Sequence, residues 1–247
     1  MRFLEVKPAF ALTTFYFCKK GFINKIMKII DLTHSIAEGM PMYPGADAPK
    51  LQIAYSHNEH GFMETQISML SHTGTHIDAP LHIIKDGHTL TQYPIEQFIG
   101  KAVVIDCRKL KNGDQITMSL IKEKGFELNK AEFILFLTGQ SALWGKPDYF
   151  SSYPIMTQEV AELVNQRKLK GIGIDAPSFD PCTIDNIEQA ADELHNHKEI
   201  LKTGNTVFIE NLCNLEKIGS ELFTLFALPL KTVNADGAPA RVVAILN

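Results

Sequence analysis

Long apolar runs are missing from this 247-residue sequence. None approaches the roughly 18 residues that a membrane-spanning helix requires, so no membrane partner is expected. Cysteine is scarce. Cys18, Cys107, Cys182 and Cys213 are widely spaced and form no Cys-x-x-Cys pair, which excludes a disulfide framework or a cysteine-built zinc knuckle. They read as reduced thiols of a cytoplasmic protein. A strong charge of either sign is absent too: 24 Lys and Arg against 28 Asp and Glu leave a formal net charge of -4, which gives no reason to expect nucleic acid or an anionic membrane as partner. There is no repeat, low-complexity tract or long linker. A secretory signal is not expected either: the stronger basic pair, Lys19-Lys20, follows the apolar stretch Phe10–Cys18, whereas such a signal puts its positive charge first. Residues 1–26 are expected to be a poorly ordered extension, with Met27 opening a domain over 27–247.

The composition is ordinary for a globular chain, 45% hydrophobic and 21% charged, and the length suits one sizeable core. Strand-length runs of apolar and β-branched residues recur at Lys28–Leu32, Leu51–Tyr55, Glu64–Leu70, Ala102–Asp106, Phe133–Leu137, Gly171–Asp175, Thr206–Glu210, Leu222–Leu228 and Arg241–Leu246, most of them bounded by turn residues. Helices are fewer. Thr157 opens one as its cap, running to about Leu169 with Val160, Leu163 and Val164 inward. A second runs from Asp185 or later to Lys202, stopped by Gly204. A weaker one covers Ser119–Lys124. This pattern predicts a single-domain α/β fold with a mixed sheet or partial barrel. The Pro- and Gly-rich Gly39–Gly45 segment reads as a shaped loop.

The densest chemistry lies in Ser71-His72-Thr73-Gly74-Thr75-His76-Ile77-Asp78-Ala79-Pro80-Leu81-His82. Three imidazoles and a carboxylate are the ligands that zinc or manganese prefers. In an extended chain the even-numbered residues share a face, leaving Ile77, Ala79 and Leu81 to the core. On a straight strand His72 and His76 would stand roughly 13 Å apart, too far for one ion. The chain must therefore fold back, and Gly74 permits it. His82 reads either as a fourth ligand or, preferably, as a free imidazole titrating near neutrality that carries a proton. His34, His57, His60 and His88 lack comparable companions and read as structural or surface residues.

The signature His-x-Gly-Thr-His-x-Asp-x-Pro-x-His stands here as His72, Gly74, Thr75, His76, Asp78, Pro80 and His82. It resembles that of the cyclase-like metal-dependent hydrolases, which include bacterial kynurenine formamidases and isatin hydrolases. Asp31-Leu32-Thr33-His34, Pro41–Gly45, Thr138-Gly139, Trp144-Gly145, Gly173–Ser178 and Glu210-Asn211-Leu212 agree with it. The resemblance spans about Met27 to the C-terminus. It implies a swivelling β/β/α fold, homodimers or homotetramers, and one or two divalent ions held by His72, His76 and Asp78, with Asp78 able to bridge. It implies proton transfer by His82. Glu210 and a later histidine, His197 or His195, would complete a two-metal site; the pattern before Leu201 and Gly204 favours His197. Tyr43 stands in the substrate loop where many formamidases carry tryptophan, which leaves the substrate open.

The function these residues imply is hydrolysis of a small amide, arylformamide (such as N-formylkynurenine) or cyclic amide by metal-activated water, with His82 as proton donor and acceptor. Two rivals use the same residues. A non-haem iron oxygenase would need only two histidines and one carboxylate. A metal-stapled binding module would favour a closed, cysteine-rich site.

Overall fold

The computed structural model describes residues 27–111, 113–151, 153–182 and 193–246. The expected 1–26 extension and the start of the second helix at Asp185 lie outside them. In chain order the strands are β1 Lys28–Asp31, β2 Lys50–Tyr55, β3 Glu64–Ser68, β4 His76–Asp78, β5 Ile99–Asp106, β6 Gln115–Ile116, β7 Phe133–Leu137, β8 Ile155–Met156, β9 Gly171–Ile174, β10 Val207–Glu210, β11 Phe223–Pro229 and β12 Gly237–Leu246. The helices are α1 His57–His60, α2 Met118–Lys122, α3 Gln158–Arg167 and α4 His195–Leu201.

The main sheet runs β1-β12-β11-β5-β7-β9-β10-β4. It curls until β4 meets β12, so seven strands form a closed, barrel-like ring with β1 as an eighth. The ring is mixed: β5, β7, β9 and β10 are parallel, and the other pairings are antiparallel. The long strand β12 makes closure possible. Its first residues Gly237–Pro239 pair with β4, and its last ones, from Val243 to Leu246, pair with β1.

Period-two alternation sorts the side chains into two cores. Ile77, Ala79, Phe133, Leu135, Val207 and Ile209 fill the barrel. Their neighbours Ile134, Phe136 and Phe208 face outward, under Val160, Ala161 and Val164 of α3 and Ile200 and Leu201 of α4. The faces opposite Ile77 and Ile209 therefore carry His76, Asp78 and Glu210 out of the barrel, and register places Glu210 directly across from His76.

Several expectations change. β2 and β3 do not join the main sheet; they pair only with each other, and every described side chain of β3 is exposed. Apolar alternation cannot distinguish a core strand from an arm that leaves its apolar residues uncovered. Leu81 is half-buried rather than in the core, because the Pro80–His82 turn is a short 3-10 helix that ends the alternation. Thr157 occupies the cap position of α3, but its hydroxyl makes no capping bond and is buried without a partner. Leu163 is only partly buried, and Ala161 takes the inner face with Val160 and Val164. The weak helix is shorter than expected and continues as a 3-10 segment over Gly125–Lys130.

Candidate metal centre

The chain reverses at Gly74, whose φ of 67° is open to glycine at little cost. This brings the His72 and His76 rings to 5.1 Å between centroids, in place of the strand spacing. Asp78 sits between them. Its Oδ1 lies 2.6 Å from His72 Nδ1 and 3.1 Å from His76 Nε2. Its Oδ2 lies 3.6 Å from His197 Nε2, which in turn is 3.4 Å from Glu210 Oε1. Two groups result, His72–His76–Asp78 and Asp78–His197–Glu210, with candidate ligand atoms within 4.8 Å of one another in each. Asp78 belongs to both.

Helix register separates the two distal histidines. His197 is buried on the inner side of α4, whereas His195 is exposed at its first turn. Asp180 fixes α4 there, accepting from the backbone amides of Asn196 at 2.8 Å and His197 at 3.0 Å, and from His197 Nδ1 at 2.7 Å. His76 is oriented in the same way, donating from Nδ1 to the Gly74 carbonyl at 2.8 Å. Asn211 donates to that carbonyl too and accepts from the Tyr149 hydroxyl at 2.6 Å.

The electrostatics suit a divalent cation. Burial alone would raise the Asp78 carboxyl, but the His76 and His72 charges, with hydrogen bonds from His197 and His72, hold it well below its usual range. Glu210 moves the other way: burial and the Asp78 charge raise it, and the neighbouring histidines offset them only in part. Its Oε1 is buried without a hydrogen bond. Two buried carboxylates side by side, one with an oxygen that makes no hydrogen bond, form an unstable arrangement that a divalent ion would relieve. Nitrogen and oxygen donors of this kind suit such an ion. His72 is raised to about 10, because the Asp78 charge and hydrogen bonds with Asp236 and Asp78 outweigh burial.

His82 stacks beside His72, 3.9 Å between centroids, and forms a third group with His72 and Asp236. The expected neutral-pH titration is not met here: burial and the neighbouring His72 charge push it down to about 3. His82 opens with Tyr43, His72, His76, His197 and Glu210 onto a cavity of about 280 Å³. Tyr43 is half-buried with its ring edge-on to Phe150, and burial raises its hydroxyl. His34 stacks on Trp144, while His57, His60 and His88 are exposed, each away from the cluster. Three histidines and Glu210 gathered around Asp78 exceed an oxygenase triad, and no candidate group among the described residues contains cysteine.

Sequence reasoning missed Asp180, Asp236 and Tyr149. Each is a lone residue with no periodic signal. Asn211 lay inside a quoted motif but without a role.

Comparison with known proteins agrees with this geometry. Residues 30–181 match the family model described as "Putative cyclase". A kynurenine formamidase of Bacillus cereus is 29% identical over 89% of this chain and 98% of its own length. That of Geobacillus thermodenitrificans is 30% identical over 86% of this chain and 94% of its own. Isatin hydrolase A from Labrenzia aggregata, solved bound to benzyl benzoate, superposes with a TM-score of 0.76 at 26% identity, covering 89% of this chain and 94% of its own. The chain belongs to the Cyclase family.

Proposed function

We propose that the protein hydrolyses the amide bond of a small aromatic formamide or lactam at a divalent metal centre held by His72, His76, Asp78, His197 and Glu210. The observation that carries this reading is Asp78, whose two oxygens face two separate ligand groups. One ion or two, zinc or manganese, suits these donors. When bound, the metal supplies Lewis acidity, polarising a carbonyl and lowering the pKa of water.

The chain's own residues do the rest. Gly74 and Asp180 hold the His76 and His197 rings in one orientation. His82, unprotonated at neutral pH, takes the proton from the attacking water as the carbon–oxygen bond forms. It returns that proton to the nitrogen as the carbon–nitrogen bond breaks. An amide nitrogen leaves poorly without it.

The cavity wall supports a neutral substrate. Pro41, Met42, Tyr43, Leu70, Phe150 and Leu194 form an apolar side facing the histidines, and no Lys or Arg lines it among the described residues. A substrate with an α-carboxylate would meet no Lys or Arg partner there among the described residues, whereas a flat, uncharged ring would stack on Tyr43 and Phe150. The benzyl benzoate held by the isatin hydrolase neighbour is also a neutral aromatic molecule.

Assembly as a homodimer or homotetramer is part of this proposal. Its support is the β2–β3 arm, which leaves Ile53, Tyr55, Phe62, Met63 and Ile67 exposed. An isolated two-stranded ribbon with such a surface is marginal in water. A cytoplasmic location is proposed from the free thiols Cys107, Cys182 and Cys213. No helix among the described residues is long and apolar enough to cross a membrane.

The test is turnover by purified, zinc- or manganese-loaded protein of formanilides, isatin-type lactams, cyclic imides, lactones and N-formylkynurenine. The expected result is faster hydrolysis of the neutral aromatic amides. Preference for N-formylkynurenine would overturn the neutral-substrate reading, and turnover of none would overturn the hydrolase reading.

A further inference from the structure

Each imidazole of the cluster turns one ring nitrogen toward Asp78 or Glu210 and offers the other to a fixed acceptor. His76 uses the Gly74 carbonyl and His197 uses Asp180. For His72 the acceptor is Asp236, whose Oδ2 lies 3.0 Å from Nε2 while Nδ1 faces Asp78. His76 and His197 are also gripped by packing, their side chains being 4% and 3% exposed, but that of His72 is 21% exposed. Its orientation therefore depends more heavily on its partner.

Asp236 is itself anchored. Its backbone carbonyl accepts from the Ala79 amide at 2.8 Å, and its Oδ2 accepts from Ser71 Oγ at 3.2 Å. The next residue packs against the same ring. A Cβ at Gly237 would lie 2.5 Å from His72 Cε1, so only glycine leaves room for the imidazole. The pairing of Gly237 with Asp78 across β12 and β4 sets both contacts. In this way the last strand of the chain reaches the first histidine of the motif, 164 residues away.

We propose that Asp236 is the positioning residue of the metal centre: it holds His72 with Nε2–H directed outward and Nδ1 left for the ion. A carboxylate behind a ligating imidazole fixes its ring and tautomer and makes it a better donor. This rests on the metal-hydrolase reading above. The experiment measures zinc affinity by chelator competition on metal-free protein. Asp236→Leu removes the acceptor and is expected to weaken zinc binding roughly 10- to 100-fold. Asp236→Asn keeps an acceptor oxygen and should restore most of that loss, which a purely structural defect would not allow. His76→Ala is the control. If it leaves zinc affinity intact, the metal reading fails; if it abolishes binding while Asp236→Leu binds as the wild type does, only the positioning role fails. Nitrogen-15 histidine spectra of the zinc-loaded wild type decide the matter without a variant. A protonated Nε2 and a metal-shifted Nδ1 on His72 are expected, and the opposite assignment would overturn the proposal.

Discussion

Glu210→Gln should make the metal-free protein more stable and the metal-binding protein worse. Glu210 is buried beside Asp78, and one of its oxygens has no hydrogen-bond partner. Burial and the Asp78 charge raise its carboxyl above the ordinary 4.5, against the pull of His197 and His76. A carboxyl raised on folding costs stability as pH rises above that ordinary value, because the unfolded chain ionises first and the folded one resists. At pH 7 the metal-free protein bears this cost. Glutamine keeps the shape and removes the charge, so the gain should be about 1–3 kcal/mol, the scale of one poorly compensated buried polar group. For a chain of this size that is about 2–4 °C in Tm for each kcal/mol. The same change deletes a ligand, and zinc affinity should fall at least as far as for an outer-partner mutation, roughly 100-fold. Calorimetry of chelator-treated protein and competitive zinc titration read the two effects. If Glu210 were instead a structural ion-pair partner of His197, breaking that buried pair would cost about 3–5 kcal/mol. A less stable metal-free variant with unchanged zinc affinity would refute the reasoning.

His82→Ala should retain its metal and lose turnover by roughly 10²- to 10⁴-fold, the usual contribution of a placed acid or base; metal loss measured by mass spectrometry would make His82 a ligand. His197→Ala should abolish zinc binding at the Glu210 group while His195→Ala leaves it unchanged, since His195 is exposed; equal effects in a zinc titration would overturn the register argument. His34 is held down to about 4 by burial, from an ordinary 6.5, so stability should fall as pH drops from 6.5 to 4 and level off below. After allowance for its partial exposure the effect is about 1 kcal/mol, read as the difference between wild type and His34→Gln in urea unfolding across that window. Ile53→Asp with Ile67→Asp should reduce the solution mass to that of a monomer in light scattering without lowering Tm; an unchanged mass would remove the arm from the interface.

The parts of this molecule that could be read from its sequence share one property: the signal is periodic or dense. His76 and Asp78 alternate with Ile77 and Ala79, and the barrel accepts that alternation residue by residue. The turn at Gly74 followed from a distance argument alone. What escaped was set by register between distant strands or by what an exposed surface leaves uncovered. Ile53, Tyr55 and Ile67 alternate as core residues do, yet they lie on a free arm, because alternation reports that a face wants cover and not what covers it. Asp236 reads as a turn residue before a strand. Only the pairing of Gly237 with Asp78 turns it into a partner of His72. Asp180 likewise acquires its role only because α4 starts where its carboxylate can meet two backbone amides and a ring nitrogen at once. Ligands announce themselves by residue type, whereas the groups that aim them are ordinary carboxylates and carbonyls. A site can therefore be recognised from twelve consecutive residues and still depend, for its geometry, on strands and loops that those residues do not specify.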